Sequence, residues 1–368
     1  MIAGGSAMSV ILEPPYTFPE KPGPVVKPGE FAFAAMHLDH GHIFGMCDSL
    51  IKAGATLKSV YDPDPEKVAS FLRSFPQAKV AASEEEIFRD TEVRLVAAAA
   101  VTCERCDLGI RVMNAGKDYF TDKAPMTTLQ QVEAARACVR RTGRKYFCYY
   151  SERVHTGGGL FAEELIRQGA IGRVIHMDGF GPHRLSPACR PAWFFDREKS
   201  GGILCDIGSH QLEQFLTFAG EEDAEIVASR VANYNHPEHP AFEDFGDCMA
   251  VGKNGASFYF RVDWFTPDGL RTWGDSRTFI TGTEGTLELR KTVDPAVPDM
   301  VTNTVILVDK EGEKRYTLND KIGYPFFGQL ILDCIHRTET AMTQEHCFKA
   351  AELCIRASES AIRISPKA

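Results

Sequence analysis

No stretch of this 368-residue chain approaches the roughly 18 uncharged apolar residues that a membrane span requires. The N-terminus lacks a charged start followed by an apolar run, so no secretory signal is expected. Basic charge is not in excess either: 41 Lys and Arg stand against 50 Asp and Glu, a net charge of −9, which argues against a general nucleic-acid binder and leaves a local basic pocket open. Internal repeats are absent. Cysteine is plentiful, but its 11 residues are scattered and odd in number. Cys103-Glu104-Arg105-Cys106 is the one C-x-x-C spacing, and no second pair follows as a zinc ribbon would need. We read it as structural, with a redox or metal role as the alternative. Reduced thiols in a cytoplasmic protein account best for the set. Hydrophobic content of 44% and charged content of 25% are ordinary for a globular protein, and the length suggests two domains.

Residues 1–29 are rich in Pro and Gly and read as an irregular arm without a helix. Residues 30–150 then alternate apolar runs with helical patterns. Strands are expected at 31–36, 57–61, 79–82, 94–100, 118–121 and 145–149, with helices at 42–53, 65–75, 106–115 and 128–141. That rhythm predicts a Rossmann-like α/β domain built on a doubly wound parallel sheet. Residues 151–368 change character. Helices are expected at 160–168 and 206–218, a long loop at 180–200, and a succession of strands from 224 to 317. Two helices close the chain near 325–337 and 346–364. This predicts an α+β domain with a mainly antiparallel open sheet, one face on helices and the other free for a partner subunit in a homodimer or homotetramer.

The first strand–helix turn of a dinucleotide-binding sheet normally carries G-x-G-x-x-G. Here it reads Met36-His37-Leu38-Asp39-His40-Gly41-His42, with His37, Asp39 and His42 at the glycine positions. Gly41 and the helix N-terminus still offer N–H groups to a pyrophosphate. Asp39 would repel it unless it caps the helix and turns its charge inward. His37, His40 and His42 in six residues raise the thought of zinc, but no acidic or thiol partner stands at conventional spacing, and a pyrophosphate or packing role is preferred. Asp62 ends the second strand, 23 residues after Asp39, where an acid binds the adenosine ribose; a carboxylate there favours NAD over NADP. The other reading is that the Asp62–Pro65 turn caps the next helix. Thr102 and Asp122, past the fourth and fifth strands, complete the expected cofactor side.

Two stretches carry the chemistry: Thr121-Asp122-Lys123-Ala124-Pro125, and Gly201-Gly202 followed by Asp206-Ile207-Gly208-Ser209-His210. Lys123 ends a parallel strand and should point into the ligand crevice, with a cis bond before Pro125 a means of fixing its direction. Asp206 and His210 are four apart at a helix start and share a face. Such a cluster handles the proton of a carbinol while another group takes the hydride. With Glu164 to Gly172 and Thr281 to Leu287, these motifs resemble the glucose–fructose oxidoreductase / myo-inositol dehydrogenase family over about residues 31–365. The match to that family's Glu-Lys-Pro signature has Asp122 for Glu and Ala124 before the proline.

The resemblance implies a catalytic triad of Lys123, Asp206 and His210. His210 would act as base, Asp206 would orient it, and Lys123 would stabilise charge on the reacting oxygen. His183, Arg184, Arg190 and Trp193 are the expected substrate wall, Arg suiting a carboxylate or polyhydroxy ligand and Trp a sugar face, with Arg153 a further candidate and His236 and His239 structural. The expected activity is NAD-dependent oxidation of a secondary hydroxyl of a sugar, cyclitol or polyol. The alternatives are a bound cofactor that cycles during elimination, epimerisation or glycoside cleavage, or a non-catalytic nucleotide-sensing relative.

Overall fold

The computed structural model describes residues 21–318 and 321–365. In the first half, strands β1 (Ala32–Met36), β2 (Thr56–Tyr61), β3 (Lys79–Val80), β4 (Val93–Ala98), β5 (Asp118–Asp122) and β6 (Tyr146–Tyr149) alternate with helices α1 (His42–Lys52), α2 (Pro65–Ser74), α3 (Glu84–Arg89), α4 (Arg105–Asn114) and α5 (Leu129–Thr142). The strands form one parallel sheet in the order β3-β2-β1-β4-β5-β6. Its central strands β1 and β4 are alanine-rich and, apart from Arg94, buried, as expected of a sheet covered on both faces. Local chemistry sets the helix ends: Asp64 caps α2 by accepting from the Glu66 N–H, Pro65 occupies the first turn, and Gly143 ends α5 in the left-handed region. Gly41, not Asp39, is the N-cap of α1, and it supplies no side-chain bond.

Of the expected arm, residues 1–20 lie outside the described residues. The remainder carries no helix and is tied to the first domain where the Val25 N–H donates to Ala53 O at 2.9 Å.

The second half contains α6 (Ser151–Val154), α7 (Gly157–Arg167), β7 (Val174–Pro182), α8 (Arg197–Ser200), α9 (Ile203–Asp206) and α10 (Gly208–Ala219). Strands β8 (Ala224–Ala232), β9 (Phe245–Gly252), β10 (Ser257–Asp263), β11 (Arg277–Gly282), β12 (Gly285–Arg290), β13 (Thr304–Asp309) and β14 (Gly312–Thr317) follow, then α11 (Pro325–His336), α12 (Gln344–Ser360) and β15 (Ile362–Ile364). The nine strands run β14-β13-β12-β11-β7-β10-β9-β8-β15, antiparallel except for β7 with β10 and β8 with β15. Helices α10 and α12 cover one face, and Ile175, Val227, Met249, Val251 and Phe279 remain exposed on strands of this sheet.

Three expectations need correction. The helix expected over 206–218 is broken at Ile207 into α9 and α10. The 180–200 segment is not continuous loop: β7 runs to Pro182, and two 3-10 turns and α8 occupy much of the rest. The closing helix ends at Ser360, and residues 362–364 add a strand to the sheet edge, too short a segment for any periodicity to show. Helix α12 also returns to the first sheet, where Gln344 accepts from the Tyr146 N–H at 2.7 Å and the Tyr150 hydroxyl donates to Cys347 O at 3.1 Å.

Candidate functional site

The β1–α1 turn holds His37, Asp39 and His42 where a dinucleotide turn carries its glycines. His37 has φ +50°, a left-handed conformation that histidine adopts more readily than most residues. It continues the sheet through Tyr61 O and the Ala99 N–H, while its ring bonds Glu84 at 2.7 Å. Asp39 pairs with Lys67 at 2.6 Å, so its charge is neutralised from α2. Among the described residues the amides of Asp39 and Gly41 meet no protein acceptor, and a Cβ built on Gly41 would enter open space. Two free N–H groups and an approachable backbone fit a pyrophosphate. Asp62 is buried and accepts from the Leu38 N–H at 2.6 Å and the Asp64 N–H at 2.8 Å, so both its oxygens tie the turn to the end of β2. The cap of α2 in that segment is Asp64. Thr102 is buried in the 3-10 turn after β4.

Asp122 supplies the acidic partner that spacing alone did not show. Its carboxylate, wholly buried at the end of β5, meets His42 Nδ1 at 2.7 Å, His40 Nδ1 at 3.0 Å and Arg105 at 3.3 Å. The His40, His42 and Asp122 ligand atoms lie within 4.8 Å of one another. The guanidinium already neutralises the carboxylate, so the cluster is complete as a hydrogen-bonded network. Burial, with the neighbouring His42 ring adding to it, lowers the His40 pKa to about 4. Arg105 is itself fully buried and donates to Ala100 O at 2.8 Å, to Ala124 O at 3.1 Å and to Lys123 O. It therefore grips the backbone at Lys123 and Ala124. The cis bond is Lys123–Ala124, one bond before the position expected from Pro125.

Lys123 Nζ donates to Asp206 Oδ1 at 2.5 Å, joining the end of β5 to α9. Burial alone would raise the Asp206 carboxyl, but the ammonium outweighs it and holds the pKa at about 2. His210 lies on α10 facing the same cavity. Asp206 is not its hydrogen-bond partner, because the break at Ile207 separates the two; His210 Nδ1 is buried with no partner among the described residues. The acid whose field acts most on His210 is Glu152, from α6. Glu152 pairs with Lys291 at 2.9 Å, and Lys291 also donates to Gln214 at 2.7 Å. Burial dominates at His210 and lowers its pKa to about 3, so the imidazole is neutral at pH 7.

These groups open onto a cavity of about 560 Å³, within the roughly 300–1,000 Å³ of small-molecule sites. His183, Arg184 and Arg190 line it. Arg153 and Trp193 do not. Arg153 is buried between Glu213 at 2.7 Å and Glu163 at 2.8 Å, and Trp193 packs on Phe194. The tryptophans at the cavity are Trp264 and Trp273, the latter 4.5 Å from the His183 ring. Glu152, Lys291, Trp264, Trp273 and Arg105 escaped sequence reasoning. Their only signal was composition: a buried-looking acid beside Arg153 and the two remaining tryptophans. His236 pairs with Asp244 at 3.0 Å and His239 stacks on Phe195, both structural as expected. All eleven cysteines are unpaired.

Residues 39–150 match the family model described as "Oxidoreductase family, NAD-binding Rossmann fold", and residues 160–288 match "GFO/IDH/MocA C-terminal domain". The chain belongs to the GFO/IDH/MocA family. A presumed oxidoreductase from Erwinia carotovora atroseptica SCRI1043, known from its crystal structure, is 49% identical with a TM-score of 0.89, covering 91% of this chain and 100% of that one. The scyllo-inositol 2-dehydrogenase (NAD(+)) of Bacillus subtilis is 25% identical over 248 residues, 64% of this chain and 66% of that protein. A levoglucosan dehydrogenase in complex with NADH shares the fold with a TM-score of 0.75 at 17% identity, covering 90% of this chain and 96% of that one. The chain spans 62% and 66% of the length of the first curated relatives it matches. As a GFO/IDH/MocA member it is an oxidoreductase-family protein with an NAD(P)-binding Rossmann fold.

Proposed function

We propose that this GFO/IDH/MocA member is a dehydrogenase that moves a hydride between a secondary hydroxyl of a polyhydroxylated small molecule and a nicotinamide cofactor, NAD in preference to NADP. The observation that carries this reading is the meeting of Lys123, from the crevice end of the parallel sheet, with Asp206 at 2.5 Å, in a cavity that His210 also lines. The activity carried in the name of the scyllo-inositol dehydrogenase relative is of the same kind.

The cofactor would be held by the free amides of Asp39 and Gly41 on the pyrophosphate side, with His40, His42 and Lys123 towards the reacting ring. Asp62 and Asp64 at the end of β2 disfavour a 2′-phosphate, and Lys67, the nearby cation, is already paired with Asp39. When bound, the nicotinamide supplies or accepts the hydride. The protein's part is the proton. Neutral His210 takes the carbinol proton through its accessible ring nitrogen, and Glu152 stabilises the imidazolium that forms. Lys123, held by Asp206, donates to the same oxygen and stabilises charge building on it. The exposed apolar residues of the nine-stranded sheet, Met249, Val251 and Phe279 among them, would pair with a second copy as a homodimer or homotetramer. The unpaired cysteines suit a reducing, cytoplasmic setting.

The test is a panel of inositols, polyols and sugar acids with NAD or NADP, followed by the absorbance of the reduced nicotinamide. Turnover that disappears in Lys123→Met and His210→Gln, with cofactor binding retained, supports the reading. Turnover unchanged in both variants overturns it.

A further inference from the structure

Arg190 is the one half-buried arginine at the cavity whose charge meets no carboxylate within ion-pair distance among the described residues. Elsewhere the pattern is the reverse: Arg105 meets Asp122, Arg153 meets Glu213 and Glu163, Arg197 meets Glu243, and Arg290 meets Glu288 and Asp294. Arg184, also at the cavity, reaches Asp268 at 3.3 Å. Inside the cavity the remaining charges cancel in pairs, Lys123 with Asp206 and Lys291 with Glu152. Arg190 is left over.

Its guanidinium is also held in place before any ligand arrives. Nε donates to Leu185 O at 2.9 Å, and the planar group lies 4.6 Å from the Phe194 ring centroid and 5.0 Å from that of Trp264. Stacking fixes the plane, and the Nε bond fixes the rotation about it. The two terminal amino groups meet no protein acceptor among the described residues, on a side chain that lines the cavity, and are left as a fork for a ligand. Burial lowers the Arg190 pKa, with Asp206 acting in the opposite direction, the direction expected of a cation short of counter-charge.

We propose that Arg190 is the anchor for a carboxylate of the substrate, so that the site takes a polyhydroxylated acid, such as an aldonate, a uronate or a carboxylated cyclitol, in preference to the neutral polyol. This rests on the dehydrogenase reading above and narrows it. A carboxylate matches the planar fork at two points and supplies the missing single negative charge. A phosphate fits less well: its second charge would face Asp206 and Glu152, which line the same cavity. The carbinol is then held by Lys123 and His210 and the carboxylate by Arg190, so the substrate is fixed at both ends against the aromatic wall of Trp264.

The experiment compares partners that differ only in the acid: D-gluconate against D-glucitol, and D-glucuronate against D-glucose. Turnover is measured with the oxidised cofactor, and calorimetric binding with the reduced one, so that binding is read without turnover. Proteins are the wild type, Arg190→Gln, Arg190→Lys, and Arg73→Gln as a distant exposed control, each checked by its unfolding temperature. A charge-assisted contact predicts roughly a 10- to 100-fold preference for the acids in the wild type. Arg190→Gln should abolish it through KM rather than kcat, and Arg190→Lys should restore part. Equal use of acid and neutral partner by the wild type, a preference that survives Arg190→Gln, or no binding of either acid overturns the proposal. Turnover of neutral polyols alone defeats the anchor and leaves the dehydrogenase reading standing. Acid binding lost in Arg190→Gln without turnover of any compound supports the anchor and counts against the dehydrogenase.

Discussion

Asp206 accepts a hydrogen bond from Lys123 at 2.5 Å and makes none to His210, four residues further along the chain. Acid and lysine thus form one unit and the histidine stands apart. Lys123 is buried and Asp206 is partly buried, so removing one leaves the other as a poorly compensated charge. Lys123→Met and Asp206→Asn should each lower kcat by about 10²- to 10³-fold, the scale of losing one stabilising donor at a developing charge. The double variant should be no worse than either single one, since both remove the same unit. Steady-state kinetics on the three proteins decide this, and losses that multiply would show the two residues acting independently.

Arg105 supports that unit from behind. It is fully buried, bonds Asp122 and holds the carbonyls on both sides of the Lys123–Ala124 bond. Arg105→Met keeps the bulk and removes the donors, leaving a buried carboxylate and three carbonyls without this partner. The expected loss is about 3–5 kcal/mol of unfolding free energy, read from urea denaturation. Loss below 1 kcal/mol would mean that His40 and His42 suffice to hold Asp122.

What could be read before any coordinates follows from locality. Strand–helix alternation is a property of short windows, so the parallel sheet was legible. Lys123 and the 206–210 segment were legible because chemical groups cluster where an element ends. Glu152 was not: it is adjacent to Arg153, and on a helix neighbours point in different directions, so the wrong one of two charged residues was chosen. Lys291 reaches Glu152 across 139 positions, and Trp264 and Trp273 enter from loops beside β10 and β11. Those approaches depend on strand order in the nine-stranded sheet, which no local pattern encodes. The break at Ile207 escaped because apolar spacing continues through it, and the break is what separates Asp206 from His210.

The cysteines separate sharply by environment. Cys189 is exposed and Cys103 half-buried, while the other nine are buried. Burial raises the thiol pKa, to about 12 at Cys106, Cys205 and Cys248, and raises it at Cys103 as well. A thiol reagent at pH 8 should therefore label the native protein at one site quickly, and the rest only after denaturation. Cys189→Ser should remove the fast phase. Rapid labelling of several thiols in the native protein would contradict the packing around α4, α9 and α12.

Acid should weaken the fold in two stages. Burial lowers the pKa to about 4 at His40, His155 and His183 and to about 3 at His210. In the unfolded chain the same rings take up protons near 6.5. Between those values the unfolded state binds more protons, so stability falls as pH drops from about 6.5 towards 4. At pH 5 each ring contributes up to about 2 kcal/mol of that loss. Glu152, Glu213 and Asp206, each held near 2 because a nearby cation outweighs burial, act next. Their stabilisation is full above the unfolded carboxylate range and is lost as pH falls from there towards 2. Urea midpoints should drop between pH 7 and pH 5, and His155→Asn should flatten that slope by about one proton. The rate profile should behave differently. With His210 already neutral, kcat/KM for oxidation should show no acidic limb near 6.5 and should hold until the fold itself gives way. Stability that is flat from pH 7 to 5 would mean that these rings are not buried as neutral groups, and an acidic limb near 6.5 would mean that the base is not this imidazole.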